Sequence, residues 1–128
     1  MFEATIIKFL RREIKIFDES QDEKNNSLNY FRRSRIHWLF LLNIFAAYYK
    51  KEIITKSDLI HKIQVSHITI LKYIQESINL GIIIEERSKD DRRKINLKPS
   101  PELLVSFENF FYEETRDLKK LFDERQED

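Results

Sequence analysis

A single glycine in 128 residues is the feature that most limits what this chain can fold into. Loops that cradle phosphate need several glycines, because only a backbone without side chains can approach the anion closely. The composition therefore excludes nucleotide enzymes built on Walker-type or dinucleotide-binding loops. The chain also has no cysteine, which excludes disulfides, thiol nucleophiles and thiolate metal sites, and its length is typical of one domain.

Charge is unevenly distributed along the chain, although the net charge is only +1. Residues 50–98 carry 11 basic and 7 acidic side chains, a balance of +4, whereas residues 99–128 carry 4 basic and 9 acidic ones, a balance of −5. The field of an exposed charge extends over a Debye length of about 8 Å, so the two segments act separately. The basic middle segment favours contact with a polyanion, although this signal is weak by itself.

The most apolar stretch, residues 36–49, is too short to span a membrane. It has 14 residues and contains His37 and Asn43, whereas a membrane helix needs about 20 apolar residues. The first 17 residues mix charged with apolar side chains and lack the apolar run of a secretory signal. We expect a cytoplasmic protein with no membrane partner.

Two helices are predicted in the first part of the chain. Residues 2–17 place their apolar side chains on one stripe at helical spacing, which indicates an amphipathic helix. Residues 18–27 are polar and predict a solvated loop. Residues 28–51 are apolar around much of the helical circumference and predict a helix that is covered on several sides.

The middle of the chain predicts a series of short elements and then a long helix. The first elements are a short strand at 53–55, a two-turn helix capped by Ser57, a tight turn at 64–66, and a helix at 67–80 that is capped by Ser66 and stopped by Gly81. They are followed by a hairpin of residues 82–84 and 93–97 around a charged turn at 85–91, and by an amphipathic helix from Pro101. This is the order of a winged helix-turn-helix. In that unit the second helix enters the major groove of DNA and the hairpin reaches the minor groove.

We therefore predict a mainly α fold with a small β-hairpin wing. A winged helix-turn-helix of residues 52–98 is flanked by N-terminal helices in residues 1–51 and by a C-terminal helix with an acidic tail in residues 99–128. Both flanking segments are expected to serve dimerisation. All 128 residues form a single domain in this scheme.

Part of the predicted winged helix resembles a known family. The sequence LIHKIQVSHITILKYIQESINLGIIIEERSKDDRRKINL looks like the winged-helix core of the MarR family of bacterial transcriptional regulators. VSHIT resembles the family's start of the recognition helix, NLGIII its end, and SKDDRR its acidic-then-arginine wing tip. The resemblance implies a homodimer that binds double-stranded DNA and regulates transcription. It also implies that Asp91 orients Arg93 toward the minor groove, and that a small-molecule effector could bind between the dimer helices and the wing domain.

Residues 67–80, the predicted recognition helix, should turn three isoleucines toward the core and a polar stripe outward. Gln75 suits adenine, Lys72 suits guanine or phosphate, and Thr69 offers a methyl or hydroxyl group. The predicted DNA contacts of this segment are Ser66, His67, Thr69, Lys72, Gln75 and Glu76. The alternative interpretation is an ordinary solvated polar face.

The hairpin tip predicts a second DNA contact. Four basic side chains lie within six positions there, and each phosphate that they neutralise releases counterions. The predicted wing contacts are Lys89, Asp91, Arg92, Arg93 and Lys94, with Lys56 as a secondary phosphate contact. The alternative is a charged tip that only improves solvation.

Aromatic residues are more numerous than a small wing domain needs in its interior: ten Phe, five Tyr and one Trp. The surplus lies in the terminal helices, whose apolar stripes would be exposed in a monomer. We therefore predict a twofold dimer whose contacts are Phe2, Ile6, Leu10, Phe107, Phe110, Phe111, Leu118, Leu121 and Phe122. Packing of the first helix on the last within one chain is the alternative.

No catalytic residue, metal site or cofactor is predicted. The three histidines lack metal-ligand spacing, and the paired acids imply no pocket, so we expect no enzyme activity. An aromatic pocket around Trp38, Tyr48 and Tyr49 could accept an effector or could be solid core. Two other functions stay open, namely a winged-helix module that binds protein and a replication or partition factor of a phage or plasmid.

Overall fold

Helices occupy both ends of the chain and a hairpin lies between them. The computed structural model describes residues 2–19 and 27–127, and its elements are α1 (Phe2–Glu19), a 3-10 helix (Ser27–Arg32), α2 (Arg35–Lys50), α3 (Lys56–Lys62), α4 (His67–Asn79), β1 (Ile83–Arg87), β2 (Ile95–Pro99) and α5 (Pro101–Glu127). The predicted class, mainly α with a small β-hairpin, is confirmed. Most of the loop predicted at 18–27 lies outside the described residues. None of the helices in these ranges is long and apolar enough to cross a membrane.

The predicted helix at 28–51 is wrong in its first part, where a 3-10 helix and a break precede α2. Ser34 takes an extended conformation (φ −157°, ψ 166°), and its hydroxyl accepts a hydrogen bond from the backbone N–H of His37 at 3.2 Å. Serine competes for backbone hydrogen bonds in this way, which favours caps over helix interiors. Lys51 ends α2 in the left-handed conformation (φ 59°).

The short strand predicted at 53–55 is also wrong, because the sheet formed by the described residues contains only β1 and β2. The Ile54 carbonyl accepts a hydrogen bond from the Leu97 N–H at 2.9 Å, and the Ile54 N–H donates to the Asn96 side chain at 2.9 Å. The Asn96 side chain thus takes the place of the second backbone hydrogen-bond partner that pairing of two strands would require. The extended segment docks on β2 without becoming a strand.

Both helices of the helix-turn-helix begin at side-chain caps. Thr55, and not the predicted Ser57, caps α3, because Thr55 and Asp58 form a capping box: the Thr55 N–H donates to Asp58 at 2.9 Å and the Asp58 N–H donates to Thr55 at 3.1 Å. Ser66 caps α4 as predicted. Gly81 follows the end of α4 in the left-handed conformation (φ 74°), as predicted for a helix stop.

The predicted hairpin is confirmed, with strands β1 and β2 antiparallel and Ile83 opposite Pro99. Relative to the prediction, β1 is longer and continues through Arg87, and β2 is shifted by two residues, to Ile95–Pro99. The Ser88 N–H donates to the Lys94 carbonyl at 2.9 Å and closes the tip. Each strand has five residues, and Ile83 and Leu97 anchor the base of the hairpin in the core.

Helix α2 provides the centre of the core. Phe40, Leu41 and Ile44 have no exposed side-chain surface, and burial of each stabilises the fold by about 1.5–3 kcal/mol. Every other described element except α1 adds buried apolar residues: Leu28, Tyr30, Phe31, Ile54, Leu59, Ile63, Ile70, Ile74, Ile82, Ile83, Leu97, Leu103 and Phe107. Ser77 is buried among them, and its hydroxyl donates to the Ile74 carbonyl at 2.7 Å, so its polar group is satisfied.

Helix α1 packs antiparallel on α5 of the same chain, which is the arrangement considered above as the alternative to a dimer contact. Near one end the Thr5 hydroxyl donates to Glu124 at 2.6 Å. Toward the other end Arg12 donates to Glu114 and lies 3.3 Å from Asp117. Part of the apolar stripe of α1 is therefore covered within one chain, and Phe2 and Ile6 are half-buried.

Two phenylalanines that were predicted to contact a partner chain contact the core instead. Phe107 is 8% exposed and stacks on Phe45 with ring centroids 3.9 Å apart. Phe110 lies edge-on to Trp38 at 5.7 Å, and the Arg32 guanidinium lies 4.6 Å from its centroid. Helical spacing identifies an apolar face without identifying which neighbour covers it, so the packing of these two rings within one chain was not predictable from the sequence.

Glu114 makes the contact between α1 and α5 dependent on pH. Burial and the neighbouring Glu13 raise the pKa of Glu114 to about 7, against the opposing effect of Arg12. An acid whose pKa is higher in the folded than in the unfolded state binds its proton more tightly when folded. Its contribution to the free energy of unfolding therefore falls as pH rises from 4.5, the ordinary value, to about 7.

We expect Glu114→Gln to raise the free energy of unfolding at pH 8 by on the order of 1 kcal/mol and to change it little at pH 4.5. Urea denaturation at both pH values measures the effect. Glu113→Gln removes a more exposed carboxylate of the same cluster and is the matched control. A Glu114→Gln protein that is less stable than wild type at pH 8 would contradict the prediction, because the ion pair with Arg12 would then dominate.

Candidate nucleic-acid interface

The start of α4 is fixed by two hydroxyl groups. The Ser66 hydroxyl accepts the Thr69 N–H at 3.1 Å and lies 2.7 Å from the Thr69 hydroxyl. Both side chains were predicted as DNA contacts, and the structure shows that they also define the first turn of the helix. The N–H groups of such a turn carry partial positive charge, which favours binding of a phosphate at that end of the helix.

The outward face of α4 is partly apolar, which the sequence reasoning missed. Ile68 is 81% exposed and Leu71 is 42% exposed, although both are large aliphatic residues. They share this face with Lys72, Gln75 and Asn79, at spacings of three and four residues. Ile70 and Ile74 are buried and define the inward face of the helix. Positions 68 and 71 are offset from that face, so the sequence could have indicated that they point outward.

Two amide side chains on this face are held together. The Gln75 amide nitrogen donates to the Asn79 side-chain oxygen at 2.9 Å, one turn further along the helix. Glutamine and asparagine are the side chains that pair with the major-groove edge of adenine. The hydrogen bond restricts the conformations of both, so the predicted contact Gln75 is accompanied by Asn79, which was not predicted.

The remaining predicted residues of α4 differ in their surroundings. His67 is exposed in the first turn, and Thr69 is half-buried. Glu76 lies at the edge of the outward face, where its carboxylate accepts a hydrogen bond from the Tyr30 hydroxyl at 3.0 Å and lies 3.9 Å from the Lys72 amine. Four of the six predicted residues are thus exposed, whereas Thr69 is half-buried and Glu76 contacts the buried Tyr30.

The tip of the hairpin holds one arginine in place beside a carboxylate. Arg93 donates its backbone N–H and its side-chain Nε to one oxygen of Asp91, each at 3.1 Å. The Arg93 side chain is nevertheless 91% exposed. The same hydrogen bonds lower the pKa of Asp91, so its carboxylate stays charged at neutral pH. The pairing has the geometry that the family resemblance implied.

Other residues shape the tip. The Ser88 hydroxyl accepts the Asp91 N–H at 3.3 Å, and the Arg87 side chain donates to the Arg92 carbonyl. Neither Ser88 nor Arg87 was predicted as a site residue. The predicted residues Lys89, Arg92 and Lys94 are all exposed at this tip.

Lys56 lies beside the hairpin, where it is paired with an acidic side chain. Its amine is 3.7 Å from a carboxylate oxygen of Glu85 on β1, and both side chains are more than a third exposed. An exposed pair of this kind contributes little to stability. It does reduce the positive charge that Lys56 offers to a phosphate, so the structure supports this secondary contact less well than the wing contacts.

The fold can be compared with solved structures. The chain superposes on MepR of S. aureus in its DNA complex with a TM-score of 0.58, at 15% identity over 95% of this chain and 94% of that chain. For MepR bound to ethidium bromide the TM-score is 0.54, at 13% identity over 97% and 77% of the two chains. This chain has the MarR-type winged-helix fold.

Comparisons of sequence add less. A MarR protein from Peptoclostridium difficile is 24% identical over 89% of this chain and 72% of that chain, with a TM-score of 0.49. No protein-family model matches the sequence, and neither does any curated protein. The assignment of the MarR-type fold therefore depends on the arrangement of elements in space.

Two aromatic cavities lie on this MarR-type fold, where the sequence predicted one. A pocket of about 550 Å³ contains Trp38, Phe110 and Arg32, and a groove of about 660 Å³ between α2 and α5 contains Tyr49 and Phe111. The predicted single pocket that joins Trp38, Tyr48 and Tyr49 is wrong, because α2 turns Trp38 and Tyr49 toward different cavities. Within residues 2–19 and 27–127 no cluster of three or more acidic or histidine side chains is arranged to hold a metal ion.

The two faces of α4 should respond differently to truncation. We expect Ile70→Ala to lower the free energy of unfolding by about 2–5 kcal/mol, because Ile70 is fully buried. Ile68→Ala, two residues away, should change it by less than about 0.5 kcal/mol. Urea denaturation of both variants tests the orientation of the helix. Equal losses for the two variants would show that Ile68 is buried and that α4 is rotated.

Proposed function

We propose that this protein is a transcriptional regulator that binds double-stranded DNA as a homodimer, with α4 in the major groove and the hairpin tip in the minor groove. The observation that carries the proposal is the combination of an exposed reading face on α4 with an exposed arginine on the wing. The MepR structure with the same fold is a DNA complex, which supports the proposal. The proposal extends to transcription because MarR-type proteins with this fold are regulators.

The outward face of α4 offers contacts of two chemical kinds. Gln75 can pair with adenine, and Lys72 can contact guanine or a phosphate. Ile68, exposed and apolar, suits the methyl group of thymine.

The wing offers a cation whose direction is set before DNA binds. Asp91 holds Arg93 through two hydrogen bonds while leaving most of the arginine exposed. A narrow minor groove concentrates negative potential and attracts arginine. The Arg93 side chain is therefore partly ordered before DNA binds, which lowers the entropy cost of binding.

Removal of wing charge should weaken DNA binding in a manner that depends on salt. We expect Arg92→Ala/Arg93→Ala to reduce the slope of log K against log salt for a random-sequence duplex by about one to two phosphate equivalents. Fluorescence anisotropy at several salt concentrations measures this slope. Lys119→Ala/Lys120→Ala removes the same charge from exposed positions on α5 and should leave the slope unchanged.

Absence of wild-type binding at low salt would contradict the DNA proposal and would favour a module that binds protein. Equal slopes for the wing variant and wild type, with wild type bound, would instead remove the wing from the interface. The α5 control separates both outcomes from an effect of net charge alone.

The dimer in this proposal uses the exposed apolar surface of the terminal helices. Of the predicted contact residues, Leu10, Phe111, Leu118 and Phe122 are each more than half exposed in the single chain. The groove between α2 and α5 has a floor of Phe45 and Phe107 and an almost entirely apolar lining. Water-exposed apolar surface of this extent is typical of an interface, and a second copy would cover it on both chains by twofold symmetry.

Twofold symmetry would place two α4 helices about 34 Å apart, one turn of DNA, on a pseudo-palindromic site. We expect wild type to have twice the 15.7 kDa chain mass in sedimentation equilibrium and Phe111→Arg to have the monomer mass. Phe111 is 60% exposed, so the chain should still fold. Ile53→Arg, at an exposed apolar position away from α5, is the control. A monomeric wild type would refute the dimer.

The pocket beside Trp38 is the better candidate for a small-molecule effector. Its volume of about 550 Å³ lies within the range of about 300–1,000 Å³ that is usual for ligand sites. It combines the aromatic rings of Trp38 and Phe110 with the cation of Arg32 and the carboxylate of Glu114. MepR has been solved with bound ethidium bromide, so a protein with this fold can hold an aromatic ligand.

A further inference from the structure

The C-terminal half of α4 is held from behind by a buried tyrosine. Tyr30, on the 3-10 helix, is 1% exposed. Its hydroxyl lies 3.0 Å from the backbone carbonyl of Tyr73 and 3.0 Å from a carboxylate oxygen of Glu76, both on α4. Hydrogen bonds are directional, whereas the apolar contacts of the buried isoleucines on the same helix are not. Tyr30 therefore adds a directional contact to the core packing that holds α4.

A histidine from α2 contacts the same turn of α4. The ring of His37 stacks on the ring of Tyr73, with centroids 3.8 Å apart and planes inclined by 26°, and meets Tyr30 edge-on at 5.1 Å. His37 Nδ1 lies 2.7 Å from the Ser34 hydroxyl. The same hydroxyl accepts the His37 backbone N–H, so Ser34 holds both the backbone and the ring of His37.

We propose that Tyr30 and His37 form a bracket that sets the position of α4 on the DNA, and that Glu76 serves this bracket instead of reading a base. The proposal rests on the proposed function. None of the three acts by touching DNA in this scheme, so they are positioning residues. Base contacts need accurate placement of the helix, whereas contacts to phosphate tolerate displacement. Loss of the bracket should therefore reduce specific binding more than non-specific binding.

Charged groups around His37 make the bracket sensitive to pH. Burial lowers the pKa of His37, and so do Arg33 beside it and Lys72 on α4, while Glu76 opposes them. His37 also contacts Tyr30, Tyr73 and Ser34. A base whose pKa is depressed in the folded state destabilises that state as pH falls below its ordinary value of about 6.5. Protonation would place a cation at the stacked ring and loosen its contact with α4.

Binding to two kinds of DNA tests the bracket. Duplexes selected from a random library by wild type serve as specific DNA, and poly(dI-dC) serves as non-specific DNA. We expect Tyr30→Phe to bind the selected duplex about tenfold more weakly, the effect of losing one hydrogen bond to a charged group. Its affinity for poly(dI-dC) should stay within about twofold of wild type. Equal losses on both DNAs, or no loss on either, would overturn the proposal.

Two substitutions of Glu76 separate positioning from base reading. Glu76→Gln keeps an oxygen that accepts the Tyr30 hydrogen bond, so its affinity for the selected duplex should be near that of wild type. Glu76→Ala removes one of the two acceptors and leaves the Tyr73 carbonyl, so its loss should be larger than that of Glu76→Gln and no larger than that of Tyr30→Phe. If Gln and Ala cause the same loss, Glu76 contacts a base and its part in the bracket is refuted.

The free protein provides a test that needs no DNA. As pH falls from 6.5 to 5, backbone amide resonances of residues 73–79 should shift in wild type and stay constant in His37→Phe, which keeps a stacking ring but cannot titrate. His67→Asn removes the exposed histidine of α4 and should leave the shift unchanged. A shift that persists in His37→Phe would overturn the bracket. Loss of all DNA binding by wild type would instead overturn the proposed function, and this titration distinguishes the two failures.

Discussion

Burial of α2 is the interaction on which the other elements depend. Phe40, Leu41 and Ile44 have no exposed surface, and the 3-10 helix, α3, α4, the hairpin and α5 all add side chains to the same core. An apolar helix of this kind is stable only when it is covered on several sides. Its neighbours therefore cannot be displaced separately, and the position of α4 relative to the hairpin is a consequence of how both pack around α2.

Polar groups then define directions that apolar packing leaves open. Ser66 fixes where α4 begins, and the buried Ser77 satisfies its hydroxyl within the same helix. Tyr30 connects α4 to the 3-10 helix, and Asp91 connects the tip of the wing to Arg93. Each is a short hydrogen bond at a site where rotation of a few degrees would move a side chain that faces outward. The core supplies stability, and these bonds supply orientation.

Charge is separated in space as it is along the sequence. Three carboxylates of α5 and that of Glu13 on α1 lie within 3.5 Å of the guanidinium nitrogens of Arg12. The exposed basic residues of the wing lie on the hairpin. A protein with net charge +1 can therefore present a basic surface to DNA, because its negative charge is engaged at the contact between α1 and α5. The same terminal helices carry exposed apolar residues, which are the surface proposed to contact a second copy of the chain.

The sequence by itself determined the elements whose signals are local. Ser66, Gly81 and the hairpin were predictable because a cap, a left-handed residue and alternating strands each depend on a few neighbouring residues. Only the tertiary structure decided the packing of Phe107 on Phe45, the exposure of Ile68 and the attachment of Glu76 to Tyr30. In each case, whether the side chain is covered, and by which residue, depends on parts of the chain that are distant in sequence. Periodicity reveals that a face is apolar or polar, but which surface meets that face is fixed by long-range packing.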